Sequence, residues 1–158
     1  MKDENLSELI ERIRAELDEI RRLLLRINEG WERARRSSDD YYLDGVALNL
    51  HGFYSGFERI FIRIAEVIYG DLPQGDRWHV LLLEQMLDEI PGIRPAVISS
   101  KVGEMLNEHR RFRHIVRNVY TYKLDPVKIG KLVASAQDLF EQLNAELSAF
   151  TAFLEQEN

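Results

Sequence analysis

The chain has 158 residues, 45% of them hydrophobic, a size usual for one domain with enough apolar mass for a proper core. Its formal net charge of −6 argues against tight non-specific binding to nucleic acid, because that affinity comes mainly from Lys and Arg on phosphates. The absence of cysteine removes disulfide scaffolds, thiolate zinc sites and cysteine nucleophiles together.

No run approaches the roughly 18 uncharged apolar residues of a membrane span. The charged opening MKDENLSELIERIR lacks the apolar stretch of a signal peptide, so a soluble cytoplasmic protein with no membrane partner is expected.

In chain order, Ile10, Ile13, Leu17, Ile20, Leu24, Ile27 and Trp31 recur at steps of three and four with Glu and Arg between them, which predicts a long amphipathic helix of coiled-coil-like spacing. That stripe serves either the core of a bundle or an extension of a dimer interface. Gly30 and RRSSDD mark its end region. A second, nearly all-apolar helix is expected over Tyr41 to Tyr69, with Gly45, Gly52 and Gly56 allowing a neighbouring helix to approach closely. It reads as the central and most buried element. GDLPQGD is a loop, and Asp76 is the expected N-cap of a shorter third helix through Trp78, Leu82, Met86 and Ile90. After PGIRPAVISS, Ser99 or Ser100 caps a fourth helix with Val102, Met105, His109, Phe112, Val116 and Val119 on one face, ending near Lys123. Asp125 and Pro126 form the N-cap and first turn of a fifth helix, carrying Ile129, Leu132, Ala136, Leu139, Leu143, Leu147, Phe150 and Leu154 at helical spacing. The expected fold is all-α, a five-helix up-and-down bundle.

Charge is uneven along this pattern. Arg110, Arg111, Arg113 and Arg117 fall within eight residues that contain no carboxylate, leading into and overlapping the segment FRHIVRNVYTYKLDP at residues 112–126. With about 100° per residue, Arg113 and Tyr120 share one flank of the fourth helix, and Asn118 points about 140° away from Arg113. One site using both then needs a distorted helix end or a second subunit. On spacing alone the arginines read as structural, since flank arginines usually snorkel into solvent or pair with carboxylates.

The segment also resembles the HepT-like branch of the HEPN superfamily, the all-α ribonucleases of bacterial toxin-antitoxin modules. The hallmark of that family is Arg, a polar residue, three more, His, any residue, Tyr. Here the stretch reads Arg113, His114, three positions, Asn118, Val119, Tyr120, so Asn and His look exchanged. HGFYSGFERIFIRIAEVI, LPQGDRWHVLLLEQM and YKLDP add to the likeness, which is strongest over residues 40–135 and implies a single HEPN-type domain over 1–158.

The resemblance implies a homodimer whose two motifs form one cleft, where RNA is cut without metal or other cofactor. Carried over, Arg113 is the phosphate clamp, His114 the polar neighbour, and Asn118 stands where the proton-transferring His is expected. An amide has no pKa near neutrality and only donates and accepts hydrogen bonds, so the strict mechanism is impaired unless His114 takes the role. Arg110 and Arg117 are supplementary cations for RNA. Tyr120 matches the tyrosine that a minimal nucleotidyltransferase antitoxin adenylates, adding bulk and negative charge; its bland alternative is an anchor for the helix end. His109 is expected on the core face, His51 as a hydrogen-bonded core residue, and His79 in local packing beside Trp78. No His pair at metal-ligand spacing and no phosphate-binding glycine loop stands out. Three functions follow: a HepT-like endoribonuclease toxin, a catalytically inactive HEPN protein that binds a nucleotidyltransferase or a nucleotide, or a structural bundle.

Overall fold

The computed structural model describes residues 3–157; Met1, Lys2 and Asn158 of the expected domain lie outside the described residues. The elements in order are α1 (Asp3–Ser37), α2 (Tyr42–Tyr69), α3 (Trp78–Leu87), α4 (Ser100–Asn118), a 3-10 turn (Thr121–Lys123) and α5 (Pro126–Gln156). The fold is an all-α bundle.

Helix α2 is the centre of it, packing against α1, α3, α4 and α5. Phe53, Tyr54, Phe57, Ile60, Phe61 and Ile64 on α2 are fully buried, and Phe53 and Phe57 meet edge to face at 5.2 Å between ring centroids. The apolar stripe of α1, from Leu6 to Ile27, is buried against α2 and α5, so it is bundle core and does not present a free seam for a dimer. Helix α1 also continues through Gly30 to Ser37 before the chain turns.

The three glycines of α2 differ. A Cβ on Gly56 would sit 2.7 Å from Ile20 Cγ1 and one on Gly52 3.1 Å from Leu23 Cδ2, whereas Gly45 has open space around it. Of these three, Gly56 and Gly52 permit the close approach of α1 and Gly45 does not contribute.

Caps explain where the C-terminal half of the bundle begins each helix. The Ser99 hydroxyl accepts from Val102 N at 3.3 Å and donates to Glu146 of α5 at 2.9 Å, so one residue caps α4 and ties it to α5. Asp125 accepts from Val127 N at 3.0 Å, with Pro126 in the first turn of α5. Asp76 does not cap α3. That helix starts at Trp78 behind Arg77, without a side-chain cap, because the turn at Gly75 (φ 96°) brings Trp78 N onto Gly75 O.

Helix α3 ends at Leu87, and Ile90 pairs instead with Arg94 in an isolated bridge. Arg94 is buried at 3% exposure and donates to the carbonyls of Asp88, Pro95 and Gln85 and to the Tyr69 hydroxyl. The carbonyl of Gln85 belongs to the last turn of α3, where a cation also meets the negative end of the helix dipole.

Among the described residues no helix is long and apolar enough to cross a membrane.

Candidate functional site

Helix α4 stops at Asn118, short of the expected end near Lys123. Val119 takes an extended conformation and the chain then makes the 3-10 turn. The Asn118 side chain folds back on its own helix and donates from Nδ2 to the His114 carbonyl at 2.6 Å. Tyr120 consequently lies outside α4 and not on the flank of Arg113. Its ring is 68% exposed and stacks on Tyr122 at 5.7 Å with an interplanar angle of 6°, with the Lys123 ammonium 5.9 Å from its centroid.

Arg110, Arg113, His114, Arg117 and Asn118 line one cavity of about 350 Å³, closed on the α3 side by His79. Arg113 and Asn118 thus border a single space within one chain, contrary to the angular expectation. An arginine reaches several ångströms from its backbone, and long side chains converge across an arc that Cβ directions alone would separate. The argument for a second subunit from helix angles falls with this.

Two of the lining residues, Arg113 and His79, are held by a residue that the sequence pattern left unremarked. Glu58 of α2 is buried at 5% exposure. Its Oε1 accepts from Arg113 Nη1 at 2.7 Å and its Oε2 lies 2.7 Å from His79 Nδ1. One carboxylate therefore orients a cation from α4 and an imidazole from α3. His79 also lies against Trp78, centroids 3.6 Å apart, as local packing anticipated, but its bond to Glu58 makes it part of the site. Glu58 was legible in one respect: it shares a face of α2 with His51 and Tyr54, seven and four residues earlier, in a helix otherwise nearly apolar on that face. A carboxylate at such a position needs a cationic partner.

Around this pair the field is positive. Arg110 donates from Nε to Asn107 Oδ1 at 2.8 Å, and among the described residues no carboxylate pairs with Arg110 or Arg117. The Arg113 guanidinium also lies 5.8 Å from the centroid of Tyr54. Burial raises the pKa of the Tyr54 phenol, and the Glu58 charge adds to it while Arg110 and Arg113 oppose. His51 is half-buried and makes no hydrogen bond to another described residue, in contrast to the expectation. Burial lowers its pKa, the Arg113 and Arg117 charges lower it further, and Glu58 opposes.

His109 lies on the core face of α4 at 2% exposure, away from this cavity. Among the described residues no group of three or more His, Asp and Glu is arranged to hold a metal ion.

A family model described as HepT-like protein matches residues 45–154. The chain belongs to this HepT-like family. The match runs from the first turn of α2 to the last turn of α5 and includes every residue of the cavity. No curated protein and no solved structure matches the chain.

Proposed function

We propose that this HepT-like protein is a metal-independent endoribonuclease of the toxin type, which acts on RNA as a homodimer and is held in check by a minimal nucleotidyltransferase antitoxin. The observation that carries the reading is the cavity itself, where the guanidinium groups of Arg110, Arg113 and Arg117 gather with His79 and His114, and where Arg113 and His79 both engage the buried carboxylate of Glu58. Such a surplus of positive charge in a molecule of net charge −6 suits a phosphodiester and little else on this surface. Arg113, its orientation fixed by Glu58, clamps the scissile phosphate and stabilises the charge growing on it; Arg110 and Arg117 hold flanking phosphates. Proton transfer falls to a histidine of the cavity, because the Asn118 amide is engaged on the His114 carbonyl and cannot titrate. The homodimer rests on the family resemblance. Tyr120, exposed and outside the helix, offers its hydroxyl to a nucleotidyltransferase.

The engaged Asn118 also favours a second reading, a catalytically inactive member that binds the nucleotidyltransferase or a nucleotide through the same cavity. Incubating the purified protein with RNA in chelator, beside Arg113→Ala and Asn118→His, separates the two. Cleavage by the parent protein that Arg113→Ala abolishes supports the enzyme; cleavage by Asn118→His alone identifies a disarmed relative.

A further inference from the structure

We propose that His79 is the proton-transferring base of this cavity, with Glu58 as its positioning residue; the inference deepens the ribonuclease reading and rests on it.

Glu58 Oε2 stands 2.7 Å from Nδ1 of His79, and the carboxylate is only 5% exposed, too buried to remain without donors. An ionised carboxylate is acceptor only, so Nδ1 carries the hydrogen of the neutral imidazole and Nε2 carries the lone pair. Among the described residues Nε2 has no protein partner, while the ring lines the cavity that Arg113, Arg117 and His114 line from α4. This is the arrangement of a histidine base oriented by an acid. Arg113 occupies the other oxygen of the same carboxylate, so the base and the phosphate clamp are fixed relative to each other by one rigid group on the central helix. His114, by contrast, is exposed at the rim.

With an RNA strand across the cavity, Nε2 of His79 removes the proton of a ribose 2′-hydroxyl. The 2′-oxygen then bonds to the adjacent phosphorus while the bond from phosphorus to the 5′-oxygen breaks. The leaving oxygen takes a proton from a protonated His114. The products are a 2′,3′-cyclic phosphate and a 5′-hydroxyl, and solvent exchange returns each imidazole to its starting state. The charged and titratable groups around His79 are Glu58 from α2, in contact with Nδ1, and Arg110, Arg113, His114 and Arg117 from α4, which line the same cavity.

The test uses the full chain, a 5′-labelled mixed-sequence RNA in chelator, and single-turnover rates between pH 5 and 9. His79→Asn retains an amide donor near the Nδ1 position for Glu58 but cannot accept a proton. The expected result is a rate lower by roughly 10²-fold or more, loss of the ascending limb of the pH profile, and affinity for a 2′-O-methyl RNA within about threefold of the parent. Cleavage by His79→Asn within about threefold of the parent rate overturns the role of His79 and leaves the ribonuclease reading standing. A parent protein that binds RNA without cutting overturns both. If His79→Asn fails to fold, Glu58→Gln decides: removing the carboxylate removes a stabiliser of the imidazolium, so the limb must move to lower pH, and an unmoved limb overturns the proposal.

Discussion

Arg113 Nη1 and Glu58 Oε1 meet at 2.7 Å between α4 and α2, with side chains 15% and 6% exposed. Truncating one partner of a buried pair leaves the other charge uncompensated, which costs about 3–5 kcal/mol in a closed interior. Here the guanidinium borders an open cavity, so about 2 kcal/mol is expected from Glu58→Leu or Arg113→Leu alone. Urea unfolding of the two single variants and the double gives the coupling. A value of about 1–2 kcal/mol is expected, and one below about 0.5 kcal/mol would mean that the contact is incidental.

Arg94 yields a prediction about the loop between α3 and α4. It is the one buried arginine of that loop, and its partners are carbonyls and a hydroxyl, not carboxylates. Lysine cannot reproduce a fork that spans Asp88, Pro95, Gln85 and Tyr69 at once. Arg94→Lys should therefore lose roughly 2–4 kcal/mol, close to Arg94→Ala, as measured by chemical unfolding. Retention of full stability in Arg94→Lys would show that charge alone holds the loop.

Most of the frame of this molecule is legible in its sequence. The apolar residues of α1, α2 and α5 recur at helical spacing and bury as spaced, and Ser99 and Asp125 cap as their residue types suggest. The site was legible only in part. The arginines of α4 stood out by number, but Glu58 is a single carboxylate, and its meaning arises only when α3 and α4 bring His79 and Arg113 to it across 21 and 55 residues of sequence. Tyr120 was misplaced because a helical register was extended past Asn118. The signal against that extension was present: Asp125 and Pro126 begin a new helix, so the chain has to leave α4 several residues earlier.

His109 predicts an acid-sensitive core. Its Nε2 lies 3.2 Å from Ser135 Oγ, and that hydroxyl donates to Leu132 O at 3.0 Å, so Nε2 carries the hydrogen and Nδ1 is the site left for a second proton. Nδ1 is buried without a partner, and burial lowers the pKa to about 4 from an ordinary 6.5. Between these values the unfolded chain binds the extra proton and the folded one does not, so stability is complete above about pH 6.5 and declines toward pH 4. The loss is on the order of 3 kcal/mol for this one group. Urea unfolding at pH 7.5 and 5.0 should show about 2 kcal/mol of it, and His109→Gln should flatten that part of the profile. An equally steep decline in the variant would assign the acid sensitivity elsewhere.

The charge arrangement of the cavity predicts a salt signature for RNA binding. Arg117 has no carboxylate partner among the described residues and is exposed, so its removal should weaken binding of a 2′-O-methyl RNA across sequences alike. The slope of log affinity against log salt should drop by roughly 0.7. Arg59, paired with Glu16 at 2.7 Å on another face, serves as the control, and Arg59→Ala should leave the slope unchanged. Equal slopes for parent and Arg117→Ala would place the nucleic acid off this cavity.

Gly56→Ala sets helix propensity against packing at a single position. In an isolated helix the change gains about 1 kcal/mol, because alanine loses less backbone entropy than glycine. In this bundle the new methyl would stand 2.7 Å from Ile20 Cγ1 and 2.9 Å from Ile20 Cδ1, both of a residue fully buried between α1 and α2. Ile20 is branched at Cβ and has few rotamers open to it in a helix, so α1 must move or the side chain must strain, at a cost of about 1–3 kcal/mol. Packing is expected to win, with a net loss of about 1 kcal/mol in chemical unfolding. Gly45→Ala, with open space at its Cβ, has only the propensity gain and should stabilise by up to about 1 kcal/mol. If both substitutions stabilise alike, the close contact of α1 and α2 at Gly56 is not a constraint on the fold.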